Sequence, residues 1–526
     1  MTPLSYAQRR LWFVNRLEGA GSTYNVPVVV RFGPGLEVGV LESALADVVE
    51  RHEVLRTVYG ESGGEPHQTV LGPVEGRPAF EVVECSAGEV EARVEEFARR
   101  PFDLVVDRPL RVRLYSMGAE GSVLVLSVHH IATDGWSEGV LLRDLAEAYG
   151  ARRVGRVPGW EPLPVQYADY TLWQRDVLGS AEDPESLLSR QLAFWNGALE
   201  GAPRALDLPF DRARPAVPSG RGARMPLDIG ADLHTKLVRL AGEHGCTLLM
   251  VVQAALAVTL SKAGAGEDIP LGTPVAGRDD EALDDLVGFF VNSLVLRTRV
   301  DAERSFAETL REVRDTDLKA YAHQEAPFDL VVEELNPERS TSHHPLFQVT
   351  VAVEGASARS PEFAGTEAVT VSSVSAGVAK FDLAVAFTER RGEDGAPAGL
   401  SGLVEYAVDL FDADTVRALV AVLERTLRSV AEDASVAVGD VVRLSARERS
   451  ALTTRDLPER LPKEVEEPAP GLPRTPRQEI SSGIRRWRGW IVWWPRVAVF
   501  RLVPGWCRSI VGSGLRCPTR SDGCGS

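Results

Sequence analysis

Residues 123–128, VLVLSV, are apolar on both parities but for one serine, and the run ends in two histidines, His129 and His130. A short, nearly continuous apolar run predicts a strand buried on both faces. Asp134 and Gly135 follow, and then a helical pattern, SEGVLLRDLAEAYGARR. The same reading predicts strands at 26–32, 66–71, 109–116 and 122–129, with a helix at 40–52 and another at 87–100. Leu4, Leu11, Trp12 and Leu17 mark an opening amphipathic helix that stops near Gly19. Helices are predicted at 164–176 and 186–199. Residues 207–224 are rich in Pro, Gly and Arg and have no period, which places a crossover between two halves there. The second half is expected to begin with a strand and then helices at 231–244 and 247–263. A strand and turn at 269–278, strands at 347–354, 381–390 and 398–407, and a helix at 410–433 follow.

Composition narrows the class. The chain has 526 residues, 44% hydrophobic, enough for two or three domains of a globular protein. A net charge of −17 argues against a general nucleic-acid binder. Five cysteines in this length make no disulfide framework, and a reducing, cytoplasmic setting is the default. The opening MTPLSYAQRR has no long apolar core, and no stretch offers 18 apolar residues, so no membrane span is expected.

The histidine pair is the candidate chemistry. Neighbouring strand residues point to opposite faces, so one histidine can face a cavity while the other is held in the wall. A titratable imidazole at the end of a buried strand suits a general base. A satisfied structural histidine and a metal ligand are the other readings. His130 and Asp134 are four apart, but no third His, Cys or Glu stands at ligand spacing, and no metal is expected. Gly135 falls where a strand must turn sharply into a helix, for which glycine tolerates unusual φ values.

The string HHIATDGWS, 129–137, resembles the H-H-x-x-x-D-G signature of condensation domains of nonribosomal peptide synthetases, within the wider acyltransferase superfamily that includes chloramphenicol acetyltransferase. Other motifs of that family recur in order. Ser5, Ala7, Gln8, Arg10, Leu11 and Trp12 fit S-x-A-Q-x-R-L-W, and RHEVLRT, 51–57, fits R-H-E-x-L-R-T. Tyr167, Asp169, Tyr170 and Trp173 fit Y-x-D-Y-x-x-W, on what reads as an aromatic helix face packed on the core. Gly288, Phe290, Val291 and Asn292 fit G-x-F-V-N-T, with Ser293 in place of threonine. His323, Gln324, Pro327 and Phe328 fit H-Q-x-x-P-F-E, with Asp329 replacing glutamate. Arg339, Ser342, Pro345, Leu346, Phe347 and Gln348 fit the last motif, while His343 and His344 read as variable residues of a polar loop. The resemblance covers about residues 2–450. The chain is therefore expected to start almost on a domain boundary, without a carrier-protein domain ahead of it.

The resemblance implies an α+β fold of two chloramphenicol acetyltransferase-like lobes, here 1–178 and 179–450, in a V-shaped pseudo-dimer with a central tunnel. It implies amide formation between a donor acyl or peptidyl thioester and the amine of an acceptor aminoacyl thioester. Donor and acceptor peptidyl carrier proteins, or other synthetase modules, are the implied partners. Both substrates arrive on phosphopantetheine arms, and the domain binds no cofactor itself. A thioester is already activated, which fits the lack of a nucleophile motif. His130 and Gly135 become the catalytic candidates, His130 as base or positioning group and Gly135 through its backbone amide. His129, Asp134 and Arg56 become structural, with Arg56 pairing with Asp134. Trp136, Ser137, Asn292 and Ser293 become candidates for lining the tunnel. A free-standing acyltransferase with a soluble acceptor, or a non-catalytic recruitment module, is the alternative.

The end of the chain differs. Six prolines in 457–476 make 451–476 an extended linker. Residues 477–526 hold nine Arg, five Trp, three Cys and only two acids, Glu479 and Asp522. A basic, Trp-rich membrane-surface segment is one reading. The preferred one is translation out of frame, with the tail disordered.

Overall fold

The computed structural model describes residues 2–18, 21–337, 340, 342–355, 362–366, 370–373 and 377–452. Gly19, Arg339 and nearly all of the expected linker and tail lie outside the described residues. In chain order the elements are β1 (Thr2–Pro3), α1 (Tyr6–Glu18), β2 (Asn25–Phe32), α2 (Val38–Arg51), β3 (Thr57–Ser62), β4 (Glu65–Val70), β5 (Phe80–Glu84) and α3 (Val90–Ala98). Then come β6 (Leu110–Ser116), β7 (Ser122–His129), α4 (Gly135–Arg153), α5 (Tyr167–Leu178), α6 (Leu187–Leu199) and β8 (Gly222–Pro226). After these follow α7 (Ala231–Glu243), α8 (Leu248–Lys262), β9 (Asp268–Val275), β10 (Asn292–Arg299), α9 (Phe306–Tyr321) and α10 (Phe328–Leu335). The last are β11 (Val349–Glu354), β12 (Thr370–Ser373), β13 (Leu383–Arg391), β14 (Pro397–Ala407), α11 (Ala413–Glu432) and α12 (Ala446–Leu452).

Two larger sheets organise two lobes. The first has the order β12-β2-β7-β6-β5, the second β10-β9-β11-β13-β14-β8, and β1-β4-β3 form a small third sheet. Most neighbours are antiparallel; β5 runs parallel to β6, and β11 parallel to β9 and β13. This is the two-lobed, mixed architecture of the chloramphenicol acetyltransferase-like fold. β12 comes from the second half of the chain yet pairs with β2 in the first sheet, Val371 opposite Val30. Phe363, just ahead of it, packs edge-on against Phe32 and Tyr149.

β7 is the central element predicted at 122–129. Val123 and Val125 pack with Val90, Val94 and Phe97 under α3, and Leu124, Leu126 and Val128 face the main core of the first lobe. Burial on both faces explains its apolar run. α1 opens with a reciprocal cap. Gln8 N donates to Ser5 Oγ at 3.1 Å, and Ser5 N donates to Gln8 Oε1 at 3.2 Å. The S-x-A-Q motif is thus a helix start. α8 is buried over most of its length in the core of the second lobe. Among the described residues no single helix is long and apolar enough to cross a membrane.

β1, β3, β5, β10, β12, α9, α10 and α12 are elements not predicted above. β5 is an edge strand with three exposed residues of five, so it carries little apolar signal. His344 corrects an expectation. It is not a free loop residue but is 2% exposed among the rings of Phe328, Phe347 and Phe381, with Nδ1 3.1 Å from the Phe347 carbonyl. Three aromatic side chains supply the apolar surroundings that a polar local sequence conceals.

Candidate active site

The strand alternation separates the two histidines. His129 closes β7 on the α3 face, its ring 5.8 Å from Phe102 and 6.2 Å from Tyr24, and its Nδ1 accepts from Ile131 N at 3.1 Å. His130 opens a single 3-10 turn, His130–Ala132. Its backbone N–H is bound to the Tyr24 carbonyl at 2.8 Å. Its Nδ1 lies 2.7 Å from the Thr133 carbonyl, and its ring meets Phe289 edge-to-face at 4.8 Å. A carbonyl can only accept, so Nδ1 carries the hydrogen and the neutral ring has its lone pair on Nε2.

Asp134 is the N-cap of α4. Its Oδ1 accepts from Ser137 N at 2.9 Å and Ser137 Oγ at 2.7 Å, and its Oδ2 from Phe290 N at 3.0 Å. Arg278 Nη2 lies 3.4 Å from Oδ1 and donates to Ser137 Oγ at 2.9 Å, with both charged side chains sealed from solvent. The Arg278 guanidinium rests 4.0 Å from the Phe290 ring centre and also donates to the Leu283 carbonyl. Burial lowers its pKa, and Asp134 opposes that. Asp134 therefore holds the turn below His130 and carries four donors, one of them cationic.

Residues 278–291 come from the second half of the chain but pack in the first lobe, where Leu283, Leu286, Val287, Phe289 and Phe290 belong to its core. Gly288 N and O both meet Ser137 Oγ, at 3.0 and 2.9 Å. Trp136 Nε1 donates to the Asp284 carbonyl at 2.9 Å, and Tyr167 OH donates to the Phe289 carbonyl at 2.6 Å. Gly288 has no room for a side chain, since a Cβ would stand 2.2 Å from Tyr167 Cδ2. His52 joins the same segment. Its Nε2 donates to Asp144 Oδ2 at 2.9 Å, and its Nδ1 faces Val287 N at 3.4 Å. Arg51 and Arg143 also bind Asp144. Burial pushes the His52 pKa down. The Arg-His pair ending α2 is thus part of a largely buried charged cluster around Asp144.

Arg56 is not the partner of Asp134. It is held locally, donating to the Leu71 carbonyl and to Glu53 Oε1 at 3.1 Å, because the turn before β3 aims it at the strand hairpin. Arg278 takes the expected role. Gly135 is the first residue of α4 and is not among the glycines with positive φ, so the turn asks no left-handed conformation of it.

The tunnel candidates divide. Ser137 is wholly buried in the Asp134 network, and Ser293 is buried in β10. Trp136 is half-buried against the inserted segment. Asn292 is committed to the backbone. Its Nδ2 donates to the carbonyls of Gln324 (2.8 Å) and Ala326 (2.7 Å), and its Oδ1 accepts from Phe328 N at 3.0 Å. Those bonds use both amide hydrogens, so it shapes the 324–328 segment rather than reaching for a substrate arm.

Phe289 also meets Arg10. The Arg10 guanidinium lies 5.8 Å from the Phe289 ring centre and pairs with Asp329 across the lobes at 3.4 Å. Burial raises the Asp329 pKa against that pairing. Arg10 and Asp329 also line a solvent-open cleft with Tyr6, Tyr170, Trp173 and Glu325. Tyr167 and Tyr170 of the aromatic motif are buried, whereas Trp173 is 48% exposed at this cleft, a position its core-packing reading did not foresee.

Two mixed lobes that share one buried histidine turn, fastened by a segment of the second lobe inserted in the first, define a protein of the chloramphenicol acetyltransferase-like class. The condensation domain family model matches residues 1–453, and the chain belongs to that family. It is 49% identical over 457 residues to CymA, a probable nonribosomal peptide synthetase of Salinispora arenicola (strain CNS-205), covering 86% of this chain and 6% of that protein. It is 45% identical over 455 residues to a dimodular nonribosomal peptide synthase of Bacillus subtilis (strain 168), covering 86% of this chain and 19% of that one. The chain thus spans less than a fifth of these curated relatives. Among solved structures it is similar to the X-domain from teicoplanin biosynthesis, with 36% identity and a TM-score of 0.77 over 84% of this chain and 97% of that one. The first condensation domain of the calcium-dependent antibiotic synthetase shares the fold, with a TM-score of 0.68 and 23% identity over 84% of this chain and 99% of that one.

Proposed function

We propose that the chain forms an amide bond between a donor acyl or peptidyl thioester and the amine of an acceptor aminoacyl thioester, both borne on phosphopantetheine arms of carrier proteins. The acceptor nitrogen attacks the thioester carbonyl, the C–N bond forms, and the oxygen takes the negative charge. The nitrogen gives its proton to His130 Nε2. The carbonyl then re-forms as the C–S bond breaks, and the departing sulfur takes up the proton that His130 received. The observation that carries this reading is the 2.7 Å contact of His130 Nδ1 with the Thr133 carbonyl. It orients the imidazole and leaves the basic lone pair on the other nitrogen. Proton acceptance of this kind is typically worth ~10²–10⁴-fold, and the tethering of both substrates adds proximity. The Gly135 amide serves as a further donor near the reacting centre, and Phe289 meets both His130, at 4.8 Å, and Arg10, at 5.8 Å, the latter lining the cleft. The reading sets the protein in the cytoplasm, working with carrier domains of synthetase modules.

A second reading is a module that recruits a partner enzyme. It is favoured by the 35% identity to the teicoplanin X-domain in a complex with OxyB. One experiment separates the two. A donor carrier loaded with a peptidyl thioester and an aminoacyl acceptor carrier are mixed with wild type or His130→Ala, and the acceptor is followed by intact mass. A mass gain that is lost in the variant supports condensation with His130 as base. A gain unchanged in the variant removes His130 from that role. No gain across several donor–acceptor pairs, with folded protein, favours recruitment.

A further inference from the structure

Asp317 is a buried acid that the proposed chemistry does not use. The packed face of α9 is Phe306, Thr309, Leu310, Val313, Asp317 and Ala320. A carboxyl therefore stands where the helix period calls for an apolar side chain. It is wholly buried. Its Oδ1 accepts from Gln253 Nε2 of α8 at 3.1 Å, and the same nitrogen lies 3.2 Å from Thr298 Oγ1 of β10. Asp317 Oδ2 has no hydrogen-bond partner among the described residues, and neither has Gln253 Oε1.

Among the described residues no cation pairs with the carboxyl. Arg297 of β10 is bound to Asp268 and to the carbonyls of Ala198 and Glu200. Arg314 of α9 is bound to Asp315 and the His244 carbonyl. Arg299, Lys319 and the half-buried Glu312 line the same cavity as Asp317, the first two from exposed positions, and none of them pairs with it among the described residues. Cys246, from the turn ahead of α8, and Tyr321 lie close enough to sense a charge on Asp317, and burial keeps both of them neutral. An ionised carboxylate with one oxygen unanswered is costly in such a place, and the neutral acid is much less so. Burial accordingly raises the Asp317 pKa to about 7, against the Gln253 hydrogen bond.

α9 leads straight to the seam between the lobes. β10 reaches both parts of this path: Thr298 meets the Gln253 nitrogen that binds Asp317, and Asn292, at the other end of the strand, holds the Gln324 and Ala326 carbonyls and the Phe328 amide. Trp195 Nε1 donates to the His323 carbonyl at 2.9 Å, and Ala326 N donates to Gln191 Oε1 at 3.2 Å. Beyond them stands Asp329, the partner of Arg10.

We propose that Asp317 is a proton-operated latch: while its carboxyl is protonated, α9 stays seated on α8 and β10, and loss of that proton to solvent loosens α9 and the His323–Phe328 segment it delivers to the seam. The folded-state pKa is raised above the unfolded one. The proton is thus held by the folded chain and not by the unfolded one as pH climbs from the ordinary carboxylate range, and stability falls until the folded pKa is passed.

The test is amide hydrogen exchange on the full chain from about pH 5.5 to 8.5, read by mass spectrometry on peptides spanning 312–329 and corrected for the intrinsic pH dependence of exchange. Wild type should lose at least about tenfold in protection between pH 5.5 and 7 and level off above pH 7. Asp317→Asn should stay level, since asparagine keeps an oxygen for Gln253 and carries no charge. Level protection in wild type overturns the latch, and so does an equal fall in the variant. If the variant does not fold, the ¹³Cγ titration of Asp317 in wild type decides. A midpoint near 7 supports the latch, and one near the ordinary aspartate value, about 4, overturns it. None of these readouts depends on amide synthesis.

Discussion

Arg278 Nη2 stands 3.4 Å from Asp134 Oδ1, both side chains are sealed from solvent, and the two residues lie 144 positions apart. The pair fastens the inserted segment of the second half under the histidine turn of the first. Removing one partner of a buried ion pair leaves the other uncompensated, at a cost of about 3–5 kcal/mol. Arg278→Gln should lose stability of that order in urea denaturation. Adding Asp134→Asn should recover part of the loss, because the stranded charge goes too. A double variant no more stable than Arg278→Gln would show that Arg278 acts without Asp134.

Gly288→Ala tests the fit of the inserted segment. The new methyl would lie 2.2 Å from Tyr167 Cδ2 and 2.6 Å from Phe290 Cε2, both rings of a packed cluster. Overpacking of this kind costs about 1–3 kcal/mol, and here the rings also hold the Phe289 carbonyl through Tyr167 OH. The variant should unfold earlier on heating, with the near-ultraviolet signal of the tyrosines changed before the transition. An unshifted melting temperature would mean that the segment relaxes freely.

His344 and His52 give the acid side of the stability profile. Burial lowers both pKa values, that of His344 to about 3. A folded pKa below the unfolded one means that the unfolded chain binds the proton first as pH falls. The stability is full above pH ~6.5 and is lost as pH drops from there toward the folded pKa. For His344 alone the window from ~6.5 to about 3 amounts to roughly 5 kcal/mol. His344→Phe, set among Phe328, Phe347 and Phe381, should flatten the dependence across that window in denaturation curves at several pH values. An unchanged slope would place the acid sensitivity elsewhere.

How much of this was legible in the sequence follows from the range of each interaction. His129 and His130 could be assigned to opposite faces because strand alternation is local, and β7 was predicted over 122–129 for the same reason. Asp134 read as an organiser of the turn, but its cation was missed. Arg278 ends a stretch read as strand and turn, and nothing in its neighbourhood shows that it will be buried against a residue 144 positions away. Arg56 was nearer in motif but is aimed at Leu71 by its own turn. α9 carries a local signal in the Ser305–Glu308 capping box and an apolar period, although no helix is predicted there. His344 looked polar because its aromatic neighbours are supplied by the fold.

Asn292 is the last test, and it separates a shaping role from a substrate-binding one. Its amide gives two hydrogens to the Gln324 and Ala326 carbonyls and takes one from Phe328 N. Asn292→Asp keeps the size and the acceptor but replaces both donors with a second oxygen. Two carbonyls would then lose their partner and face a charge, at a cost of roughly 2–3 kcal/mol. If Asn292 shapes the 324–328 segment, amide exchange there should quicken in the isolated protein, with no substrate present, and the Arg10–Asp329 pairing should weaken with it. If Asn292 instead served a substrate arm, the free protein would exchange as wild type does and only binding of a loaded carrier would suffer. The three backbone contacts predict the first outcome, because an amide with both hydrogens already given has none left for an incoming arm.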